Sequence, residues 1–142
     1  MKLINSGFNE GTGKSTSVVK HRKRKYYGYA WLHPEDKGIA SKYTGCRYAE
    51  MRAEIKALKA EHKREKAACE ECRKFVKACS QYKNFDKDSS TAKAIFRQLN
   101  RRIKRVNQLA DKINQKINDL NIAIKQKEII HKALERKRTK EE

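Results

Sequence analysis

The spacing of hydrophobic and polar positions along this chain changes character twice. Residues 1–25 show no sustained period. Gly, Ser, Thr, Asn and Lys dominate there, and the stretch closes on His21-Arg22-Lys23-Arg24-Lys25. That pattern predicts a flexible basic arm. In YYGYAWLHP, Tyr27, Tyr29 and Trp31 then alternate in the manner of a short strand. Pro34 and Gly38 punctuate a following turn, so residues 26–43 read as an aromatic extended segment and turn. Such a segment is not a stable sheet by itself and needs a surface to lie against.

From about residue 44 the period becomes helical. Met51, Ile55, Leu58, His62, Glu65, Cys69, Cys72, Val76 and Cys79 are spaced alternately four and three apart, a heptad seam with His62 and Glu65 as polar members. SQYKNFDKDSST (80–91) interrupts it with turn formers and helix-capping residues. A second seam runs through Phe96, Leu99, Ile103, Val106, Ala110, Ile113, Ile117, Leu120, Ile124, Lys127, His131 and Leu134. Asn100, Asn107, Asn114 and Asn121 repeat every seven residues beside it. The expected elements are a helix over about 44–82, a loop over about 83–90 and a helix over about 91–138.

The two seams match when folded back on each other. Ile55 then faces Leu120, Leu58 faces Ile117, His62 faces Ile113, and Glu65 meets the small Ala110, with Glu61 beside Lys116. The sequence thus predicts an all-α fold: a long antiparallel two-helix coiled-coil hairpin over 44–142, preceded by an extended basic arm with a short aromatic strand-like segment. Ile130 and Leu134 outrun the first helix in this register, and Ile122 and Ile129 lie opposite the main seam. Together with Tyr27, Tyr29 and Trp31 they are candidate contacts for a partner; the aromatic segment folding back onto the Ile122–Ile129 strip is the alternative.

Charge narrows the class of partner. The 142 residues carry 36 Lys and Arg against 17 Asp and Glu, a net +19. The excess is spread as +6 over 1–45, +4 over 46–80 and +9 over 81–142. Such a field favours a polyanion, with nucleic acid ahead of an anionic membrane surface, and opposes self-association unless it is neutralised. A homo-oligomer paired through the second helix stays open. With no secretory signal or membrane-spanning apolar run, the expectation is an intracellular, non-secreted protein with reduced cysteines, or one incorporated in a virion.

Candidate chemistry is sparse. GTGKST (11–16) matches the end of a phosphate-binding G-x4-G-K-[ST] loop, but Phe8 occupies the position of the first glycine. MKLIN is short and polar for a leading strand, and STSVVKHRKRK has no helical amphipathicity for the phosphate-binding helix. Cys69-x-x-Cys72 with Cys79 has a zinc-like spacing, yet all three are seam residues, which reads as small core hydrophobes. No catalytic, metal or cofactor site is expected. Two basic groups are candidates for nucleic acid: Lys14, Lys20, Arg22, Lys23, Arg24 and Lys25 on the arm, and Arg97, Arg101, Lys104, Arg105 and Lys112 on the outward face of the second helix. Tyr26, Tyr27 and Tyr29, next to the first group, could stack on bases.

The resulting expectation is a non-enzymatic structural or assembly protein of a nucleic-acid-containing particle, foremost a phage or viral virion. The hairpin would be a strut and the arm would lace into neighbouring subunits or nucleic acid. The alternatives are a small soluble regulator or inhibitor that binds nucleic acid or a host ribonucleoprotein, and a ribosome-associated basic protein.

Overall fold

A computed structural model describes residues 1–31 and 39–141, apart from the side chains at 39–41, 131, 135, 138 and 141. The turn expected at His33–Gly38 lies outside the described residues. The element order is β1 (Lys2–Asn9), β2 (Lys14–His21), β3 (Arg24–Trp31), α1 (Ile39–Ser80) and α2 (Ser90–Glu141). The chain is mostly helical, with a three-stranded antiparallel sheet at its N-terminus. By contact the chain divides into two compact units, Met1–Ala57 with Asn114–Glu142, and Leu58–Ile113.

The first unit corrects the all-α expectation. Residues read as an irregular arm form two strands, and the aromatic segment is the third strand of a β1-β2-β3 meander. The alternation that organises β2 is of size, not hydrophobicity, which is why a hydrophobic period missed it. Ser15, Ser17 and Val19 are buried, while Lys14, Thr16, Val18 and Lys20 take the opposite face.

Two turns set the meander. Glu10–Gly13 connects β1 to β2: Asn9 Oδ1 accepts hydrogen bonds from the Gly11 and Thr12 amides at 2.9 and 3.4 Å, and Gly13 N–H donates to the Asn9 carbonyl at 2.8 Å. Gly13 sits at φ 71°, in the left-handed region that glycine enters without a Cβ clash. GTGKST is therefore a hairpin turn running into β2. A strand leads in after all, but another strand follows where a phosphate-binding loop requires a helix. The second turn has only two residues, Arg22 and Lys23, at φ 49° and 66°. Positive φ at both central positions is the two-residue hairpin geometry that ordinarily selects Asn-Gly.

Where α1 crosses the inner face of the sheet, Ser15, Ser17, Gly28 and Ala30 are small because the helix passes extremely close. A Cβ built on Gly28 would lie 1.8 Å from the Ala49 carbonyl oxygen and 2.6 Å from the Ala53 amide nitrogen. One built on Gly45 would lie 2.6 Å from Ser15 Oγ. Gly45, Ala49, Ala53 and Ala57 recur every four residues, and the three alanines have no exposed surface. Ser17, also fully buried, satisfies its hydroxyl by donating to the Cys46 carbonyl at 3.0 Å and accepting from Ser6 Oγ at 2.9 Å. The outer carbonyls of β3 are covered by α1 as well: Arg52 Nη1 donates to Tyr29 O at 2.7 Å and Lys56 Nζ to Tyr27 O at 2.8 Å. Those two side chains, four apart on the helix, close one edge of the sheet.

Also in this unit, Met51, Ile55 and Leu120 form a buried cluster with Tyr48, Ile117 and Ile124 packed against it. Tyr48 Oη donates to the Ala123 carbonyl at 3.1 Å, and Lys116 Nζ pairs with Glu54 Oε2 at 2.6 Å. Desolvation raises the Tyr48 pKa above the usual phenol value. Lys42 hydrogen-bonds Glu10 at 2.6 Å and holds its carboxyl below the usual carboxylate range, tying the first hairpin turn to α1.

In the second unit Leu58, Cys69, Val76, Ala92, Leu109 and Ile113 are buried. Arg105 bridges two acids, Nη2 to Glu61 Oε1 at 3.0 Å and Nε to Glu65 Oε1 at 3.2 Å. Glu61 thus pairs with Arg105 inside this unit, and Lys116 with Glu54 inside the first. Ser89 caps α2, its Oγ accepting from the Ala92 amide at 3.2 Å, and Phe85 packs edge-on against Phe96 at 6.3 Å.

Candidate nucleic-acid interface

The outer face of the sheet follows from strand register. Residues directly opposite in an antiparallel pair share a face, so the cross-strand rows can be read off in order. Lys2, Lys20 and Lys25 form one row; next come Asn5, Val18 and Tyr27; then Gly7, Thr16 and Tyr29; and finally Asn9, Lys14 and Trp31. Tyr27, Tyr29 and Trp31 thus line up along β3, with lysines at both ends of the face. An extra residue in β1 between Leu3 and Asn5 makes a bulge, and the pairing still places Lys2 opposite Lys20.

Two features of this face run against stability. The first is the row of three lysines: like charges directly opposite one another repel by roughly 0.2–1 kcal/mol per pair. The second is solvent exposure of large rings, with Trp31 66% and Tyr27 47% exposed. Tyr29 is half-buried beneath cations, with Lys14 Nζ 4.1 Å and Lys56 Nζ 5.3 Å from its ring centre. Lys14 also lies 5.3 Å from the centre of Trp31, whose ring is 6.4 Å from that of Tyr29. The attraction of a cation for a ring face, about 0.5–1 kcal/mol at an exposed site, holds the Lys14 ammonium among the rings.

The sequence-derived residues distribute as follows. Lys14 and Lys20 stand on the outer face, Arg22 and Lys23 form the turn at its end, and Arg24 and Lys25 open β3. In the second unit Arg97, Arg101, Lys104, Arg105 and Lys112 are all exposed along α2, but Arg105 is committed to Glu61 and Glu65 and leaves that group as a free polyanion contact. Ile122, Ile129, Ile130 and Leu134 are exposed on α2, so β3 does not cover the Ile122–Ile129 strip; the side chain of His131 is outside the described set. Lys2, Lys56 and Arg52 were missed. The alternation Lys14-x-Thr16-x-Val18-x-Lys20 could have revealed β2 and, through it, the partner position of Lys2.

Among the described residues no three His, Cys, Asp or Glu side chains converge to hold a metal ion, and Cys46, Cys69, Cys72 and Cys79 are free thiols. No described helix is long and apolar enough to cross a membrane. Comparison with protein-family models, curated proteins and solved structures gave no match to this chain.

Proposed function

We propose that this chain is a non-enzymatic, nucleic-acid-binding structural protein of an assembled particle, foremost a virion, which contacts nucleic acid through the outer face of its sheet. The observation that carries this reading is the Lys2–Lys20–Lys25 row. Three aligned ammonium groups cost stability in the free protein and gain it back when phosphates lie across them. Exposed rings beside the row offer surfaces for bases.

In the same proposal α1 and α2 run antiparallel as a strut. The pairs Tyr48–Ala123 and Glu54–Lys116 ascend along one helix while descending along the other, and Ile55 shares its cluster with Leu120. Exposed Ile122, Ile129, Ile130 and Leu134 would be the contacts to neighbouring subunits.

Binding of a labelled polynucleotide, measured across a salt series, tests the function. The slope of log K against log salt should be steep in the native chain. It should flatten by about 1.4–1.8 in Lys20→Gln/Lys25→Gln, which removes two phosphate contacts. A slope that ignores the loss of both lysines sinks this reading.

A further inference from the structure

The face just described distinguishes between kinds of nucleic acid. We infer that the outer sheet face takes single-stranded nucleic acid, with bases stacked on Tyr27 and Trp31 and the phosphate backbone held by Lys14 and the Lys2–Lys20–Lys25 row. This rests on the nucleic-acid reading above and specifies its substrate.

The case begins with what a ring can do. A duplex keeps the faces of its bases stacked inside and presents edges and phosphates, so an aromatic side chain gains little from it. A single strand can splay its bases and lay them on exposed rings, whatever their sequence. Tyr27 and Trp31 are the exposed rings of β3, on the same side of one strand four residues apart. At about 3.3 Å per residue they stand about 13 Å apart, far enough for two bases to be held separately. Tyr29 lies between them and is not a third platform: Lys14 and Lys56 lie over its ring. It holds the Lys14 ammonium beside the Trp31 platform, 4.1 Å from the Tyr29 ring centre and 5.3 Å from that of Trp31, within reach of the backbone joining two stacked bases.

The rest of the face fits the same ligand. Beyond the rings, Asn5, Gly7, Phe8, Asn9, Thr16 and Val18 line a shallow depression with Lys14, mixed in polarity and open to a chain passing across β1 and β2. The basic row closes the other end, next to the turn at Arg22 and Lys23. Rings flanked by cations on an open sheet are what a sequence-tolerant single-strand site needs: a π-face for every base and a charge for the phosphates.

Trp31 is the only tryptophan in the chain, so its fluorescence reports this face alone. The full chain would be titrated with a short labelled oligothymidylate and with a duplex of equal phosphate content at one ionic strength, reading Trp31 emission and label anisotropy together. The expected result is quenching by the single strand, tighter binding of it than of the duplex, and no quenching by the duplex. Tyr27→Ala and Trp31→Ala should each weaken the single strand by about 5- to 100-fold and leave the duplex unchanged, whereas Trp31→Phe should keep most of the affinity. Both rings are exposed, so these changes leave the helix-packed face intact. Equal binding of both forms without quenching, with the alanine variants indifferent, overturns the single-strand inference and leaves the salt-dependent polyanion reading standing. Binding of neither form overturns both.

Discussion

Gly28→Ala is the sharpest perturbation the structure offers. The added methyl would sit 1.8 Å from the Ala49 carbonyl oxygen, 2.6 Å from the Ala53 amide nitrogen and 2.9 Å from the Ala49 carbonyl carbon, all main-chain atoms of α1. Ordinary contact begins near 3.4 Å. No rotamer change can relieve a clash with backbone, so the helix and sheet must part by about 1.6 Å. That separation would loosen Ser17 from Cys46 and thin the packing around Val19, Ala30, Ala49 and Ala53. Overpacking usually costs about 1–3 kcal/mol and occasionally more. With three backbone obstacles the expected loss is at the top of that range, about 3 kcal/mol.

Urea denaturation followed by Trp31 fluorescence measures it, because Trp31 belongs to the strand being displaced. Gly7→Ala is the matched control: it is also a strand glycine, but its added methyl meets nothing within 4 Å. That variant should stay within about 0.5 kcal/mol of the native chain. If Gly28→Ala is as harmless as Gly7→Ala, α1 does not lie against this face and the placement of the sheet is wrong.

Three further outcomes follow from single contacts. Replacing Arg22-Lys23 by Asn-Gly relieves positive φ at two side-chain-bearing residues and should stabilise the chain by about 1 kcal/mol in the same urea assay, while weakening polynucleotide binding. Tyr48→Phe removes the hydrogen bond to Ala123 and should cost about 0.5–1.5 kcal/mol near neutral pH. Because the folded-state pKa of Tyr48 is raised, its contribution is complete below the unfolded phenol pKa and is lost as pH rises through the folded value; the Phe variant should lose that alkaline step in a stability–pH profile. Arg105→Ala separates the guanidinium from Glu61 and Glu65 and should cost about 1–2 kcal/mol by thermal or urea unfolding, a figure discounted because Arg105 is half-exposed. A binding defect in that variant without a stability loss would refute its structural role.

The helices were legible because their seams are hydrophobic and long. Met51, Ile55, Leu58, Cys69 and Val76 on α1 and Ile113 and Leu120 on α2 are buried where the heptads put them. The sheet was not legible for a physical reason. A strand that packs against a helix at backbone distance must be small on that side, so beside Val19 its buried set is Ser15, Ser17, Gly28 and Ala30, too small and too polar to give a hydrophobic period. The complementary signal was present in α1 as Gly45-x3-Ala49-x3-Ala53-x3-Ala57. A stripe of small residues beside a hydrophobic seam gives a helix a second packing face, and a nearby segment alternating small and large residues is what can occupy it. The tight turns were hidden differently. Gly13 advertised a turn but lay inside a familiar motif, and Arg22-Lys23 adopts a conformation that its residue types disfavour.

The candidate site depends on the same alternation that hid it. In β2 and β3 the inward residues under α1, Ser15, Ser17, Gly28 and Ala30, are small, and the outward ones are free to carry charge or a ring. Shifting either strand by one residue would bring Lys14, Lys20, Tyr27 and Trp31 against α1 and turn Ser15, Ser17 and Gly28 to solvent. No lysine or tryptophan could enter a space that already excludes one methyl group at Gly28. Close approach of the helix therefore fixes register, and register delivers three rings and three aligned lysines to one surface. That also explains how the chain tolerates the repulsion in the Lys2–Lys20–Lys25 row: the constraint is steric and set at a distance from the charges, so neutralising them would strengthen the fold without redirecting it. Bound polyanion should accordingly raise the stability of the native chain more than that of Lys20→Gln/Lys25→Gln, coupling occupancy of the outer face to packing on the inner one.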